Sequence, residues 1–339
     1  MLDLKKIILG IILLVVFYPI AEAELTAEQI PALSAQLPEV SYPYPVSYFP
    51  LTNQEQNLVM AYMDVKPKIA NGKTVLLLHG KNFNAAYWQG TIAQLVKAGY
   101  RVVAPDQIGF GKSSKPARFQ YSFQQLASNT HNLLLHLGIN QVLVVGHSIG
   151  GMLATRFALM YPEQTRALIL EDPIGLEDWK RYIPYRTVDQ LYAAELQQSL
   201  ASIRGYQRSS YYHGSWKPEY DKSVEILYGW SKGRDSRLIA WNSALQTDMA
   251  FTQPVLYEFP DLKMPTLLII GRLDRTVLGK AWAPAAVKDK LGNYPVLAKQ
   301  AAAAIPHAKL IIIEGVGHIP HIENPQAFYE PLLDFLTKQ

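Results

Sequence analysis

A serine flanked by glycines stands out in residues 144–151, VVGHSIGG, where Ser148 lies between Gly146 and Gly150 directly after an apolar run. The pattern G-x-S-x-G is typical of a tight strand-to-helix turn that exposes a nucleophilic serine. A serine hydroxyl is too weakly acidic to attack by itself, so it needs a histidine to take its proton and a carboxylate to orient that histidine. Because so short a pattern also occurs in ordinary glycine turns, its context decides whether Ser148 is catalytic.

An acid and a base follow two later apolar runs. Asp274 comes after residues 265–270 in the sequence GRLD, and His318 comes shortly after residues 310–313. Together with Ser148 they give the chain order Ser, Asp, His, which is one of the orders in which serine triads occur. If these runs are parallel strands, the three side chains meet at one edge of the sheet, and the pattern predicts a catalytic triad.

Other residues compete for both roles. Asp172 follows the apolar run 167–170 and could reach the same histidine from the next strand end, but we favour Asp274 for its strand-G-x-x-D setting. His321 lies three residues after His318, and His307 lies before its strand. We expect His321 to be a polar neighbour on the following turn and His318 to be the base.

The elements that must position these residues alternate between short apolar runs and helical patterns. Such alternation predicts βαβ units and a mostly parallel, doubly wound α/β sheet, whose ligands bind outside the carboxyl ends of the strands. The predicted strands are residues 58–65, 74–78, 100–104, 141–145, 167–170, 265–270 and 310–313. The predicted helices are residues 84–98, 123–137, 149–160, 295–304 and 325–336.

The alternation breaks between residues 177 and 262. This stretch has no comparable buried-strand run, and 15 of its 86 residues are aromatic. We interpret it as a helical cap inserted into the core, so that residues 24–176 and 263–339 form the two parts of the core. Aromatic residues of the cap either line an acyl pocket or form the core of the cap itself, and the candidates are Tyr206, Tyr211, Tyr212, Trp216, Trp230 and Trp241.

The first residues resemble a targeting segment. Lys5 and Lys6 precede an uncharged run at residues 7–18, and small residues follow at Ala21 and Ala23. The run is shorter than the roughly 20 residues needed to span a bilayer. We therefore expect residues 1–23 to be a cleaved signal peptide, which predicts export to the periplasm or medium and no stable membrane span in the mature chain. An uncleaved membrane anchor is the alternative.

Composition excludes several classes of protein. The chain of 339 residues is 49% hydrophobic and carries a formal net charge of +4 without a run of basic residues, so no nucleic-acid partner is expected. It has no cysteine, which excludes disulfides, thiol nucleophiles and Cys-ligated metals. The stretch GFGKSS has Asp106 where a phosphate-binding loop needs a glycine. No H-E-x-x-H spacing occurs, so we expect neither a cofactor nor a catalytic metal.

Taken together, these motifs resemble the α/β-hydrolase superfamily over nearly the whole mature chain. The resemblance implies that Ser148 in GHSIG is the nucleophile, Asp274 in GRLDRTV the acid and His318 in GVGHIPHIENP the base. It also implies that the oxyanion hole consists of the backbone N–H groups of Lys81, in LLLHGKNF, and of Ile149. The stretch APDQIGFGKSS resembles a structural turn of this superfamily.

Three further side chains lie near these motifs. We expect His79 to be a structural histidine at a strand end and His147 to pack behind the turn that carries Ser148. The side chain of Lys81 could favour a negatively charged substrate, although only its main-chain N–H is needed for catalysis.

The leading interpretation is an exported serine hydrolase that cleaves a small carboxylic ester or related acyl compound through an acyl-enzyme. Serine at position 148 argues against haloalkane dehalogenases and epoxide hydrolases, which have an aspartate there. A carbon–carbon bond hydrolase or an aminopeptidase on the same triad remains an alternative, as does a binding protein that has kept the fold without the chemistry. The sequence indicates neither the acyl group nor the oligomeric state.

Overall fold

The structure, a computed structural model, describes residues 25–339. The predicted signal peptide, residues 1–23, lies outside these residues. Within the described range, none of the helices combines the length and the apolar character that crossing a membrane requires.

One eight-stranded sheet organises the described chain. Its strands lie in the order β1-β2-β4-β3-β5-β6-β7-β8, and all neighbours are parallel except that β2 runs antiparallel to both β1 and β4. The mostly parallel, doubly wound sheet predicted from the sequence is therefore confirmed. The strands are β1 Val46–Asn53, β2 Gln56–Val65, β3 Thr74–Leu78, β4 Arg101–Pro105, β5 Val142–His147, β6 Thr165–Glu171, β7 Thr266–Gly271 and β8 Ala308–Ile313.

Helices cover both faces of the sheet because the central strands are apolar on both sides. Along β3, Leu76 and Leu78 pack in the core that includes α2, α3 and α9, whereas Val75 and Leu77 pack in the core that includes α1 and α11. The core helices are α1 Gln89–Lys97, α2 Phe123–His136, α3 Ile149–Met160, α8 Ala285–Lys288, α9 Tyr294–Ala304, α10 Pro320–Glu323 and α11 Pro325–Thr337.

Residues 177–262, which we call the cap, are all described and contain helices and turns but no strand. The cap helices are α4 Val188–Glu195, α5 Leu200–Ser210, α6 Asp221–Lys232 and α7 Ser236–Thr252. Helix α7 contacts both α4 and α6, so the cap has packing of its own besides its contacts with the core.

The first strand is missing from the sequence prediction. Residues 46–53 have exposed positions and contain Pro50, and they pair only with β2 as an edge strand. The hairpin turn between β1 and β2 consists of Gln54 and Glu55, both with positive φ (48° and 60°). Such turns usually carry Asn or Gly, and without these residues the hairpin gives no signal in the sequence.

The N-terminal segment, residues 25–45, joins the cap to the core. The Trp230 indole on α6 donates a hydrogen bond to the Ser34 carbonyl at 3.1 Å. On the core side, the Lys112 ammonium, in the loop after β4, donates to the Leu37 carbonyl. The segment therefore bridges two parts of the fold that are distant in sequence.

Candidate active site

Ser148 occupies a strained turn between β5 and α3. Its backbone has φ 58° and ψ −123°, a left-handed value of φ that non-glycine residues rarely adopt. A Cβ at Gly146 would lie 2.2 Å from the carbonyl oxygen of Gly150, and a Cβ at Gly150 would lie 2.2 Å from that of Leu78. Both glycines are therefore required sterically, as the sequence pattern predicts, and the serine is held in a nucleophile-elbow conformation.

Asp274 and His318 are brought together by the neighbouring strands β7 and β8. The Nδ1 atom of His318 donates to Oδ2 of Asp274 at 2.7 Å, and both side chains are fully buried. The other Asp274 oxygen accepts from the backbone N–H of Thr276 at 2.7 Å. This pairing fixes the tautomer in which His318 Nε2 is free to accept a proton.

No hydrogen bond joins Ser148 Oγ to His318 in the described part of the chain, and Nε2 of His318 lacks a protein partner there. A buried imidazole nitrogen without a partner is costly, and such atoms concentrate at functional sites. Catalytic hydrogen bonds are often long without substrate and tighten when it binds.

Two backbone N–H groups near Ser148 are also without an acceptor. Neither Lys81 N–H nor Ile149 N–H donates a hydrogen bond within residues 25–339. The turn that carries Lys81 lies against Ser148, since a Cβ at Gly80 would stand 3.1 Å from the Cβ of Ser148. Two free backbone donors near this serine have the composition of an oxyanion hole.

The competing histidines lie elsewhere. His321 is buried and pairs with Glu171, its Nδ1 lying 2.8 Å from the Glu171 carboxylate, and its ring stacks on Trp88. His307 is exposed in the turn before β8, at the opposite end of that strand from His318. Of the three candidates, His318 is the one that contacts Asp274.

Asp172, the competing acid, follows β6 and lies beside Asp274. Both of its oxygens accept from the backbone N–H of Gly271 at 3.0 Å, and its φ is 36°. Complete burial and the adjacent charge of Asp274 raise the pKa of Asp172 well above its usual range. The raised pKa favours the protonated form of Asp172, while Asp274 is the acid that contacts His318.

His147 connects the turn of Ser148 to the loop of His318. The sequence did not predict this connection. Its Nε2 donates to the main-chain carbonyl of His318 at 2.8 Å, and its Nδ1 accepts from the Tyr87 hydroxyl at 2.9 Å. Burial lowers the pKa of His147 well below its usual value, so the ring is neutral. The sequence pattern predicted that His147 packs behind the turn of Ser148, but it could not predict the partners of His147, which are distant in sequence.

His79 is structural as expected, because its Nε2 accepts from the Gln107 N–H.

Glu323 holds the same loop from the other side. Its carboxylate accepts from the backbone N–H groups of Gly317 and Ile319, the two neighbours of His318, at 3.0 and 3.2 Å. Burial raises the pKa of Glu323 to about 7. The loop that carries the histidine is thus fixed by His147, at a variable position of G-x-S-x-G, and by Glu323, which lies outside that motif.

With this geometry described, comparison with known proteins identifies the family. A family model described as the α/β hydrolase fold matches residues 73–325. The chain belongs to the α/β hydrolase family.

Two curated relatives and one solved structure illustrate how similar this hydrolase is to other members. A crystal structure of a probable hydrolytic enzyme from Pseudomonas aeruginosa is 54% identical, covers 90% of this chain and 98% of its own, and superposes with a TM-score of 0.89. Lipase 1 of Psychrobacter immobilis is 28% identical over 74% of this chain and 73% of its own length. A pimeloyl-[acyl-carrier protein] methyl ester esterase of Aeromonas hydrophila is 26% identical over 79% of this chain and 97% of its own length.

The cap of the hydrolase contacts the site through an aromatic residue. Tyr211, just after α5, stacks on His318 with ring centroids 4.9 Å apart, and its carbonyl accepts from the His318 N–H at 2.7 Å. Trp230 lines a cavity between cap and core. Tyr212 and Trp216 instead pack with Tyr220 inside the cap. Trp230 therefore lines a cavity, whereas Tyr212 and Trp216 belong to the packing of the cap itself.

The structural turn after β4 also behaves as the resemblance to α/β hydrolases implies. Asp106 accepts at 2.7 Å from the backbone N–H groups of Ala85 and Lys112, while the Ser113 hydroxyl donates to the Asp106 carbonyl at 2.6 Å. These buried bonds hold the turn and leave no vacant cradle for a phosphate.

One set of potential metal ligands occurs within residues 25–339. The ligand atoms of Asp172, Asp274 and His318 lie within 4.8 Å of one another. However, the direct hydrogen bond of 2.7 Å between His318 and Asp274 uses two of the atoms that a metal would need. The arrangement therefore fits proton handling better than metal ligation.

Proposed function

We propose that this α/β hydrolase is an exported serine hydrolase that cleaves a carboxylic ester through an acyl-enzyme. The observation that carries the proposal is the buried pair Asp274–His318 at the same sheet edge as the strained Ser148. Similarity to proteins named lipase and methyl ester esterase supports an ester as the substrate. The unpartnered Nε2 of His318 and the two free N–H groups support the assignment of roles.

In the proposed mechanism, Ser148 Oγ attacks the ester carbonyl carbon while its proton passes to His318 Nε2. The carbonyl oxygen becomes an oxyanion that accepts from the Lys81 and Ile149 N–H groups. The carbon–oxygen bond of the ester then breaks, and His318 gives its proton to the departing alcohol. Water attacks the acyl-Ser148 ester in the same way, which releases the carboxylic acid and restores the serine. No cofactor takes part in these steps.

The proposal is tested by replacing the nucleophile. We expect Ser148→Ala to lose hydrolysis of nitrophenyl esters and labelling by a serine-directed fluorophosphonate, because no other group can form the acyl-enzyme. Ser209→Ala, which removes an exposed serine of α5, is the matched control and should keep both. Full activity in Ser148→Ala, or a native protein that the probe does not label, would reject the proposal.

A substrate panel tests the type of bond. Faster turnover of esters than of matched amides and of a vinylogous diketone supports the ester assignment, whereas preference for the diketone or for aminoacyl amides would replace it.

Export is tested separately by mass spectrometry of the protein from periplasmic and membrane fractions. We expect a periplasmic chain that begins near Glu24, and a membrane-bound chain that retains residues 1–23 would contradict it.

A further inference from the structure

A polar network connects the proposed oxyanion loop to two cap helices. The Lys81 ammonium donates to Ser243 Oγ at 2.7 Å and lies 3.4 Å from Oε1 of Glu195. The Ser243 hydroxyl in turn donates to the same Glu195 oxygen at 2.7 Å. Glu195 is the last residue of α4, and Ser243 lies in α7. Lys81, the neighbour in the chain of the Gly80 that packs against Ser148, is thus bound through its side chain to the cap.

The network forms one wall of the cavity between cap and core. The cavity has a volume of about 130 Å³. Its other walls are uncharged and combine apolar residues, such as Phe83, Phe110 and Leu227, with polar ones such as Asn82 and Gln246. Lys81 and Glu195 are the charged residues that line it in the described chain, so its net charge is zero. Lys81, which lines the cavity, follows Gly80 in the chain, and Gly80 packs against Ser148, so the network adjoins the turn beside this serine.

We infer that Glu195 is a specificity-determining residue, which neutralises the Lys81 ammonium and makes this cavity a site for uncharged ester substrates. The inference rests on the proposed function and adds the substrate class to it. Without Glu195, the Lys81 ammonium would attract a carboxylate on the substrate, which is the preference for negative charge that the sequence suggested for Lys81. Paired with Glu195, it offers no net attraction, and an anionic substrate would meet the carboxylate of Glu195 at close range.

The charge of Glu195 is tested with Glu195→Gln. Glutamine keeps an oxygen that can accept from Lys81 and Ser243 but removes the negative charge, so the ammonium faces the cavity unneutralised. The substrates are dimethyl adipate and its anionic counterpart monomethyl adipate, with ethyl acetate and O-acetylglycolate as a second pair that places the anion on the alcohol side. We expect the ratio of kcat/KM, anionic over neutral, to rise roughly tenfold or more in at least one pair.

Two control variants separate charge from loosening of the cap. Ser243→Ala removes the two hydrogen bonds of the Ser243 hydroxyl but leaves the Lys81–Glu195 pair neutral, so the ratio should stay within about twofold of that of the native protein. Glu163→Gln removes one exposed carboxylate beyond the far end of α3 and should not change the ratio. Comparison of thermal unfolding curves verifies that each variant is folded.

The outcomes distinguish failure of this inference from failure of the proposed function. If Glu195→Gln hydrolyses neutral esters but shows no gain for either anionic ester, Glu195 does not set specificity and the inference is wrong. An equal gain in Ser243→Ala also overturns it, because that gain would come from cap loosening. If the native protein hydrolyses no ester and is not labelled by the serine probe, the proposed function itself has failed.

Discussion

The sheet edge and the cap place their residues by different means. At the edge, main-chain geometry decides: Gly146 and Gly150 have no room for a Cβ, and Ser148 N–H donates to the Glu171 carbonyl of the neighbouring strand. In the cap, Gly205 of α5 has open space around it, and Tyr211 contacts His318 both by stacking of its ring and through its carbonyl, which accepts from the His318 N–H. The comparison teaches that the position of Ser148 is tied to strand register and close main-chain packing, whereas positions in the cap such as Gly205 have room for change without altering the sheet.

The largest expected effect concerns the two acids at the edge. Asp274→Asn should lower kcat by about 10³ to 10⁴, because the amide cannot hold His318 in the correct tautomer. Asp172→Asn should cost less than about tenfold, because Asp274 is the acid bonded to His318, and the amide keeps the size of Asp172 without the charge that its raised pKa already disfavours. Steady-state kinetics on a nitrophenyl ester measures both. Equal losses in the two variants would mean that Asp172 works as an ionised member of the site.

The next largest effect is expected on stability, at the turn that carries Ser148. Gly146→Ala should lower the free energy of unfolding by about 3 kcal/mol or more, since the new methyl group would overlap the main chain of Gly150 and tightly packed backbone cannot move away. Urea denaturation followed by circular dichroism measures the loss. A variant with native stability would show that the sheet edge tolerates change as the cap does.

The pH dependence of stability tests the loop that holds His318. A carboxyl whose pKa is raised by folding favours the fold when protonated, so the contribution of Glu323 is lost as pH rises from its ordinary pKa of 4.5 to about 7. The free energy of unfolding of the native protein should therefore fall across this range, by at most about 3 kcal/mol, relative to that of Glu323→Gln. Parallel pH slopes for the two proteins would contradict a raised pKa.

The smallest expected effect lies in the cap. Gly205→Ala should raise the free energy of unfolding by about 0.5–1 kcal/mol, because alanine is the better helix former and nothing lies within 4 Å of the added Cβ. Thermal denaturation measures it beside Gly146→Ala. Destabilisation here would indicate that α5 is packed as tightly as the elbow and would weaken the contrast between the two regions.

Most of the fold could be predicted because the central strands are short, apolar and separated by regular helices. Strand β3 and helix α3 have the predicted bounds. The elbow could be predicted because its glycines have a steric cause that the sequence shows directly. Strand β1 could not, because Gln54 and Glu55 adopt a turn that usually requires other residues.

The rest of the site depends on contacts between residues that are distant in the chain, and the periodic pattern of apolar residues does not predict such contacts. Asp172 and Asp274 both follow strands, and only the three-dimensional arrangement shows which of them contacts the histidine. Lys81, Glu195 and Ser243 meet because of the way the cap lies on the core. The chain positions of these three residues are far apart, so no local pattern relates one to another.

The N-terminal segment has a practical consequence for protein production. The region that matches the family begins at residue 73, and a gene trimmed to that boundary would delete β1, β2 and residues 25–45 together. Trp230 and Lys112 would lose their carbonyl acceptors, and β4 would become an open edge prone to pairing with other chains. A shortened clone would thus be expected to aggregate, and the smallest useful expression product begins near residue 25.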